Sequence, residues 1–210
     1  MYSDMDVFFL VGAERSGSTL LRLMLDSHPD IACHSEFEFA VDYVLDNNTQ
    51  PDITVFNELM RKDRIFQLYG YTVDCADSYI GNLERILHDK KGSKALIGAT
   101  VHRNIGRLMA MFPKARFIHL VRDPRDVANS VRQMGWAGNA YSCAKEWKTV
   151  EKDWDALSSS LSPDRHLTIS FESLLEAPVQ TLTSITGFLG YEFNEGMFDY
   201  AKTSTYDKPK

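Results

Sequence analysis

The chain has 210 residues, with 23 Lys plus Arg against 29 Asp plus Glu and a formal net charge of −6. That balance argues against a general binder of nucleic acid or of anionic membranes, although a local basic pocket remains open. Cys33, Cys75 and Cys143 are scattered and form neither a disulfide framework nor a C-x-x-C metal pair. No signal peptide precedes the first strand and no apolar run is long enough to span a membrane, so the expectation is one cytoplasmic domain, residues 1–210, without an integral membrane segment.

In chain order, Val7-Phe8-Phe9-Leu10-Val11 is apolar and β-rich, as a buried parallel strand would be. A tight loop, Gly12-Ala13-Glu14-Arg15-Ser16-Gly17-Ser18-Thr19, leads into a helix whose apolar face is Leu20, Leu21, Leu23, Met24 and Leu25. Cys33 to Phe39 then returns the chain to the sheet edge. Residues 41–80 mix aromatic and charged residues around the loop signal Asn47-Asn48-Thr49-Gln50-Pro51-Asp52. With Leu83–Leu87, they predict a helical insertion over the site, about residues 40–90. A turn at Asp89–Ser93 precedes a strand at Ala95–Gly98, and a helix spans Ile105–Phe112.

Ala115–Val121 is a core strand. Asp123 is an N-cap with Pro124 at the first helical position, and the helix runs through Val127, Ala128, Ser130 and Val131. Tyr141–Leu157 is amphipathic, with Ala144, Trp147, Val150, Trp154 and Leu157 on one face for packing. His166–Ser170 is a further strand, and Leu182–Leu189 a helix closed by Gly190. Alternating strands and helices predict an α/β fold: a P-loop-type parallel sheet with helices on both faces and ligands at the carboxyl ends of the strands.

The first loop carries the chemistry. A Walker A loop, G-x-x-x-x-G-K-[ST], wraps phosphates with backbone N–H groups and reaches the terminal ones with its Lys. Here both glycines and Thr19 are in place, but Ser18 occupies the Lys position and the cation is Arg15, inside the loop. A P-loop kinase with a drifted motif is one reading of this pattern. A cradle for a different anionic group is the other. Farther along, Arg122 ends a strand and Ser130 follows eight residues later. A guanidinium and a hydroxyl so spaced can hold a phosphate, or Arg122 can sit in a surface ion pair.

The stretch from Phe9 to Glu36 resembles the 5′-phosphosulfate loop of enzymes that use 3′-phosphoadenosine 5′-phosphosulfate (PAPS). Arg15-Ser16-Gly17-Ser18-Thr19-Leu20-Leu21 followed by Leu25-Asp26-Ser27-His28-Pro29 is most similar to the tyrosylprotein and bacterial branch, since cytosolic sulfotransferases carry Lys at the place of Arg15. The resemblance implies that Gly12, Arg15, Ser16, Gly17, Ser18 and Thr19 cradle the 5′-phosphosulfate, and that Arg122 and Ser130 bind the 3′-phosphate. Sulfonate would pass to a hydroxyl or amine of a small molecule, glycan or peptide, leaving 3′-phosphoadenosine 5′-phosphate (PAP), with no metal required. A nucleotide or small-molecule kinase and a non-catalytic nucleotide-binding protein are the alternatives.

In tyrosylprotein sulfotransferases the catalytic Glu lies 21 residues beyond the loop Arg, which falls on Glu36. Efficient base work would need its pKa raised by partial burial beside Phe37, and Glu38 and His34 are the neighbouring competitors. The family segment Gly-Asp-Lys-Thr-Pro reads here Gly98-Ala99-Thr100-Val101-His102, with Ala99 at the apparent Lys position. His102 or Arg103 then supplies the missing charge, or Arg15 acts alone. Ile169 to Gly190 also matches, with Phe171 replacing a family Tyr. Met134–Tyr141 could line the acceptor pocket. Relatives usually continue into a C-terminal segment, so one is expected beyond Lys210.

Overall fold

The computed structural model describes residues 2–135 and 140–203. Five parallel strands form one sheet in the order β2-β3-β1-β4-β5: β1 (Val7–Val11), β2 (Ile31–Glu36), β3 (Leu96–Val101), β4 (Arg116–Val121) and β5 (His166–Ser170). The helices are α1 (Ser18–Asp26), α2 (Ile53–Met60), α3 (Arg64–Leu68), α4 (Tyr79–Lys91), α5 (Gly106–Met111), α6 (Pro124–Gln133), α7 (Ala140–Ser158), α8 (Phe171–Glu176), α9 (Pro178–Leu189) and the short α10 (Tyr200–Thr203).

Strand alternation divides the core. Phe9 and Val11 face one side and pack with Phe37, Phe56, Leu83, Leu108 and Trp154. Phe8 and Leu10 face the other and pack with Leu21, Leu25, Leu182 and Ile185. The handedness of parallel crossovers explains this division. From β1 the chain moves two places leftward to β2 through α1 on the second face. Every later crossover moves rightward, through α4, α5 and then α7 on the first face. Neighbouring β1 and β4 therefore send their connections in opposite directions, which opens a crevice at their carboxyl ends.

Several boundaries differ from the sequence reading. β3 runs three residues past Gly98, because Thr100 and Val101 are paired on one side by Leu10 and Val11, and Thr100 on the other by Glu36 of β2. Ala99 is thereby buried in the middle of a strand, paired with Phe9, and the apparent Lys position does not face the nucleotide loop. Cys33 to Glu36 belongs to the edge strand β2, with a register shift between His34 and Glu36. The insertion forms as α2 and α3, capped by Asp52 and Asp63 side chains that accept from first-turn amides. Trp154 and Leu157 are buried as expected of α7, Trp147 and Val150 are half-buried and Ala144 is exposed. Trp136–Asn139, the centre of the expected acceptor loop, lie outside the described residues.

Candidate active site

The first loop bends sharply because its glycines permit it. At Gly12, φ is 144° and a Cβ would stand 2.3 Å from the Leu120 carbonyl oxygen, so β4 approaches too closely for a side chain. Gly17 caps α1 in the left-handed region with φ 96°, and a Cβ there would strike the Phe171 ring at 2.2 Å. Arg15 itself has φ 69°, an uncommon conformation for a non-glycine residue. With no capping side chain on Gly17, the opening amides of α1 lack acceptors within the helix. Such a terminus suits an anion.

The two motifs meet across this loop. The Arg15 Nε donates to Ser130 Oγ at 3.1 Å, and the Arg122 Nη1 donates to the Arg15 carbonyl at 3.2 Å. Asp123 caps α6 by accepting from the Arg125 amide, with Pro124 at the first position, so the strand end and Ser130 are held on one rigid unit. Arg122 lies over the Phe171 ring, 4.6 Å from its centroid, and 3.9 Å from Asp126. Phe171 therefore serves as a cation platform in the place of the family Tyr. Its neighbour Glu172 accepts the Asp123 amide at 3.0 Å and ties β5 to β4. Sequence reasoning missed both roles, since neither a Phe nor a Glu at the start of α8 signals a partner from β4.

Two buried polar atoms at this junction, Ser16 Oγ and Arg122 Nε, have no hydrogen-bond partner among the described residues. Both are donors, and an oxyanion at the α1 terminus would satisfy them. The chemistry of the pair fits a phosphate or sulfate ligand. Among the described residues, no group of His, Cys, Asp and Glu is arranged to hold a metal ion.

On the β2 side of the loop lies a cleft of about 370 Å³ that brings together Arg15, Ser18, Thr19, Glu36, Glu38 and His102. Glu36 ends β2. Its side chain is half exposed and pairs with Arg64 at 3.1 Å. The side chain is thus partly buried, while Phe37 beside it lies fully in the core beyond the register shift. Glu38 is the buried carboxylate instead. Its Oε1 accepts the His102 amide at 3.0 Å, and burial pushes its carboxyl above the usual range.

His102 stands at the exit of β3. Its Nδ1 lies 2.8 Å from the Gly12 carbonyl, which can only accept, so Nδ1 carries the proton. In the neutral ring Nε2 then accepts from the Ser18 hydroxyl at 3.4 Å. Arg103 turns away to a two-point contact with Asp42, which holds its guanidinium firmly protonated. His34 is fully buried: its Nε2 meets Tyr71 Oη at 2.6 Å, rings of Phe37, Phe39 and Tyr69 surround it, and burial pushes its pKa down to about 4. It is a core residue and leaves the list of candidate bases.

Comparison with known proteins gives the family and the fold. The family model described as "Sulfotransferase family" matches residues 7–195. Protein-tyrosine sulfotransferase 1 of Danio rerio is 28% identical over 208 residues, covering 94% of this chain and 56% of the relative. The chain spans about half the length of the curated relatives it matches. The solved sulfotransferase domain from the Synechococcus PCC 7002 olefin synthase superposes with a TM-score of 0.70 at 23% identity, covering 100% of this chain and 82% of that one. Mouse sulfotransferase SULT7A1, solved in complex with PAP, shares the fold at a TM-score of 0.60 and 18% identity, covering 98% of this chain and 66% of that one. With the family model spanning nearly all of the chain, the protein belongs to the sulfotransferase family.

Proposed function

We propose that the chain moves a sulfonate from PAPS to a hydroxyl or amine acceptor and releases PAP. The observation that carries this reading is the contact between the two motifs: Arg15, the loop's cation, bonds Ser130, and Arg122 bonds the Arg15 carbonyl. That joins a 5′-side cradle to a 3′-side phosphate site, as a 3′-phosphorylated nucleotide requires. A P-loop kinase is disfavoured because Ser18 stands at the lysine position, bonded to His102, and carries no charge for terminal phosphates.

In this reading Gly12–Thr19 hold the 5′-phosphosulfate on the α1 terminus, and Arg122 with Ser130 holds the 3′-phosphate. Glu36 takes the acceptor proton as the acceptor oxygen or nitrogen bonds sulfur and the bond from sulfur to the phosphate oxygen breaks. Arg15 stabilises the charge that develops on the departing phosphate. His102, fixed between Gly12 and Ser18, orients the loop and can share that charge when protonated. Residues 1–210 act as one domain, with α2 and α3 as the insertion beside the cleft. Among the described residues no helix is long and apolar enough to cross a membrane.

A thermal-shift comparison tests the reading. PAP should raise the melting temperature and ATP with Mg²⁺ should not; the reverse pattern would turn the assignment to a kinase. Transfer of radiolabelled sulfate from PAPS to an acceptor panel separates an enzyme from a nucleotide-binding scaffold.

A further inference from the structure

On the sulfonate-transfer reading above, we infer that His102 takes up a proton when the nucleotide binds, and that this proton frees the Ser18 hydroxyl for the bound anion. A loop with serine at the lysine position thereby adjusts its donors to its ligand.

Ser18 is the first residue of α1 and, like His102, is only 9% exposed. In the neutral ring the Nδ1 proton goes to the Gly12 carbonyl at 2.8 Å, which leaves Nε2 as an acceptor. Nε2 stands 3.4 Å from the Ser18 Oγ and takes its hydroxyl proton. A serine has a single O–H to donate. An oxyanion at the α1 terminus, where the buried Ser16 Oγ lacks a partner among the described residues, competes with His102 for that proton. Protonation of the ring ends the competition. Nε2–H then donates to the Ser18 oxygen, the bond to Gly12 is kept, and the hydroxyl proton turns to the anion. The added proton comes from solvent, and no bond to phosphorus or sulfur is made or broken.

The surrounding charge permits the same change. On the β2 side His102 borders the cleft with Glu14, Glu36, Glu38 and Asp63 among its carboxylates and Arg15, Arg64 and Arg103 among its cations. On its other side a cavity of about 830 Å³ adds Glu146, Asp153 and Lys145 of α7. Arg103 is itself held by Asp42 at 2.6 Å. Carboxylates outnumber Lys and Arg on each side, so no basic patch opposes an imidazolium. The negative groups of a bound nucleotide add attraction at a ring that is largely removed from water.

Calorimetry of PAP binding at pH 7.5 in HEPES and in Tris, which differ in ionisation enthalpy, reads the protons exchanged. Phosphate monoesters of the ligand titrate near pH 6 themselves, so His102→Gln is the reference. The parent should take up roughly 0.3–1 proton more per PAP than this variant, and lowering the pH by one unit should improve its Kd, relative to the variant's, by about two- to tenfold. Glu38 is the rival home for the proton, since its buried carboxylate accepts the His102 amide. Glu38→Gln still offers that amide an oxygen and should keep the uptake. Uptake retained in His102→Gln, or the same buffer dependence in all three proteins, overturns the proposal and leaves the transferase reading standing. Failure of PAP to bind the parent overturns both. Where both variants lose the uptake, or His102→Gln does not fold, histidine ring NMR of the parent decides: PAP should move the titration midpoint of one ring upward, and midpoints unmoved by PAP overturn the proposal.

Discussion

Removing the Arg122 guanidinium should separate the 3′-phosphate from the rest of the nucleotide. In the structure this group stacks 4.6 Å over Phe171, donates from Nη1 to the Arg15 carbonyl, and leaves a buried Nε without a hydrogen-bond partner among the described residues. Its fork is thus preset by two contacts, with a donor to spare for a ligand oxygen. A hydrogen bond to a charged group contributes about 1.5–3 kcal/mol, so Arg122→Ala should weaken PAP binding about 10- to 150-fold. Arg122→Lys keeps the charge but loses the planar fork and the aromatic platform, and should lose roughly half of that free energy. Adenosine 5′-phosphosulfate, which lacks the 3′-phosphate, should bind the parent poorly and hardly respond to either change. Calorimetry at fixed ionic strength measures all four comparisons. Equal losses for both ligands would refute the reasoning, and would mean that Arg122 acts by bracing the Arg15 carbonyl and the loop.

Glu36→Gln should lower turnover about 10²–10⁴-fold with little change in PAP affinity; near-parental turnover on a sulfated acceptor would pass the base role to the buried Glu38. Ala99→Lys places an ammonium inside the core beside Phe9, and should destabilise the fold by more than about 3 kcal/mol; a parental melting temperature would contradict the buried strand position. Burial depresses the folded pKa of His34 from 6.5 to about 4, so the stability from keeping its ring neutral is fully present above pH 6.5 and drains away as pH falls toward 4. The loss is about 3 kcal/mol, and urea unfolding at pH 7 and pH 4 should show it in the parent and largely lack it in His34→Phe. A parent whose unfolding free energy is flat across that range would place His34 outside the core.

Local sequence was enough for the sheet, the loop and the second motif. Five apolar residues before Gly12, and Asp123-Pro124 after Val121, are short-range signals whose structural meaning is fixed within a turn. The resemblance to the PAPS-using family, and not spacing by itself, paired Arg122 with Ser130. What local pattern could not settle was burial, which depends on elements far away in the chain. Ala99 and Glu36 were read as site-facing and half-buried residues. Pairing of β3 with both β1 and β2 carried Ala99 into the core, whereas Glu36 lines the cleft half exposed and it is Glu38 that is buried. His34, beside those carboxylates in sequence, was claimed by an aromatic cage from α3 and the chain following it. The Phe171 platform under Arg122 joins residues 49 positions apart, each just past the end of neighbouring strands. Hydrophobic periodicity names the strands, but only their register decides which side chains share a cleft, since a one-residue shift along a strand reverses the face that each residue presents.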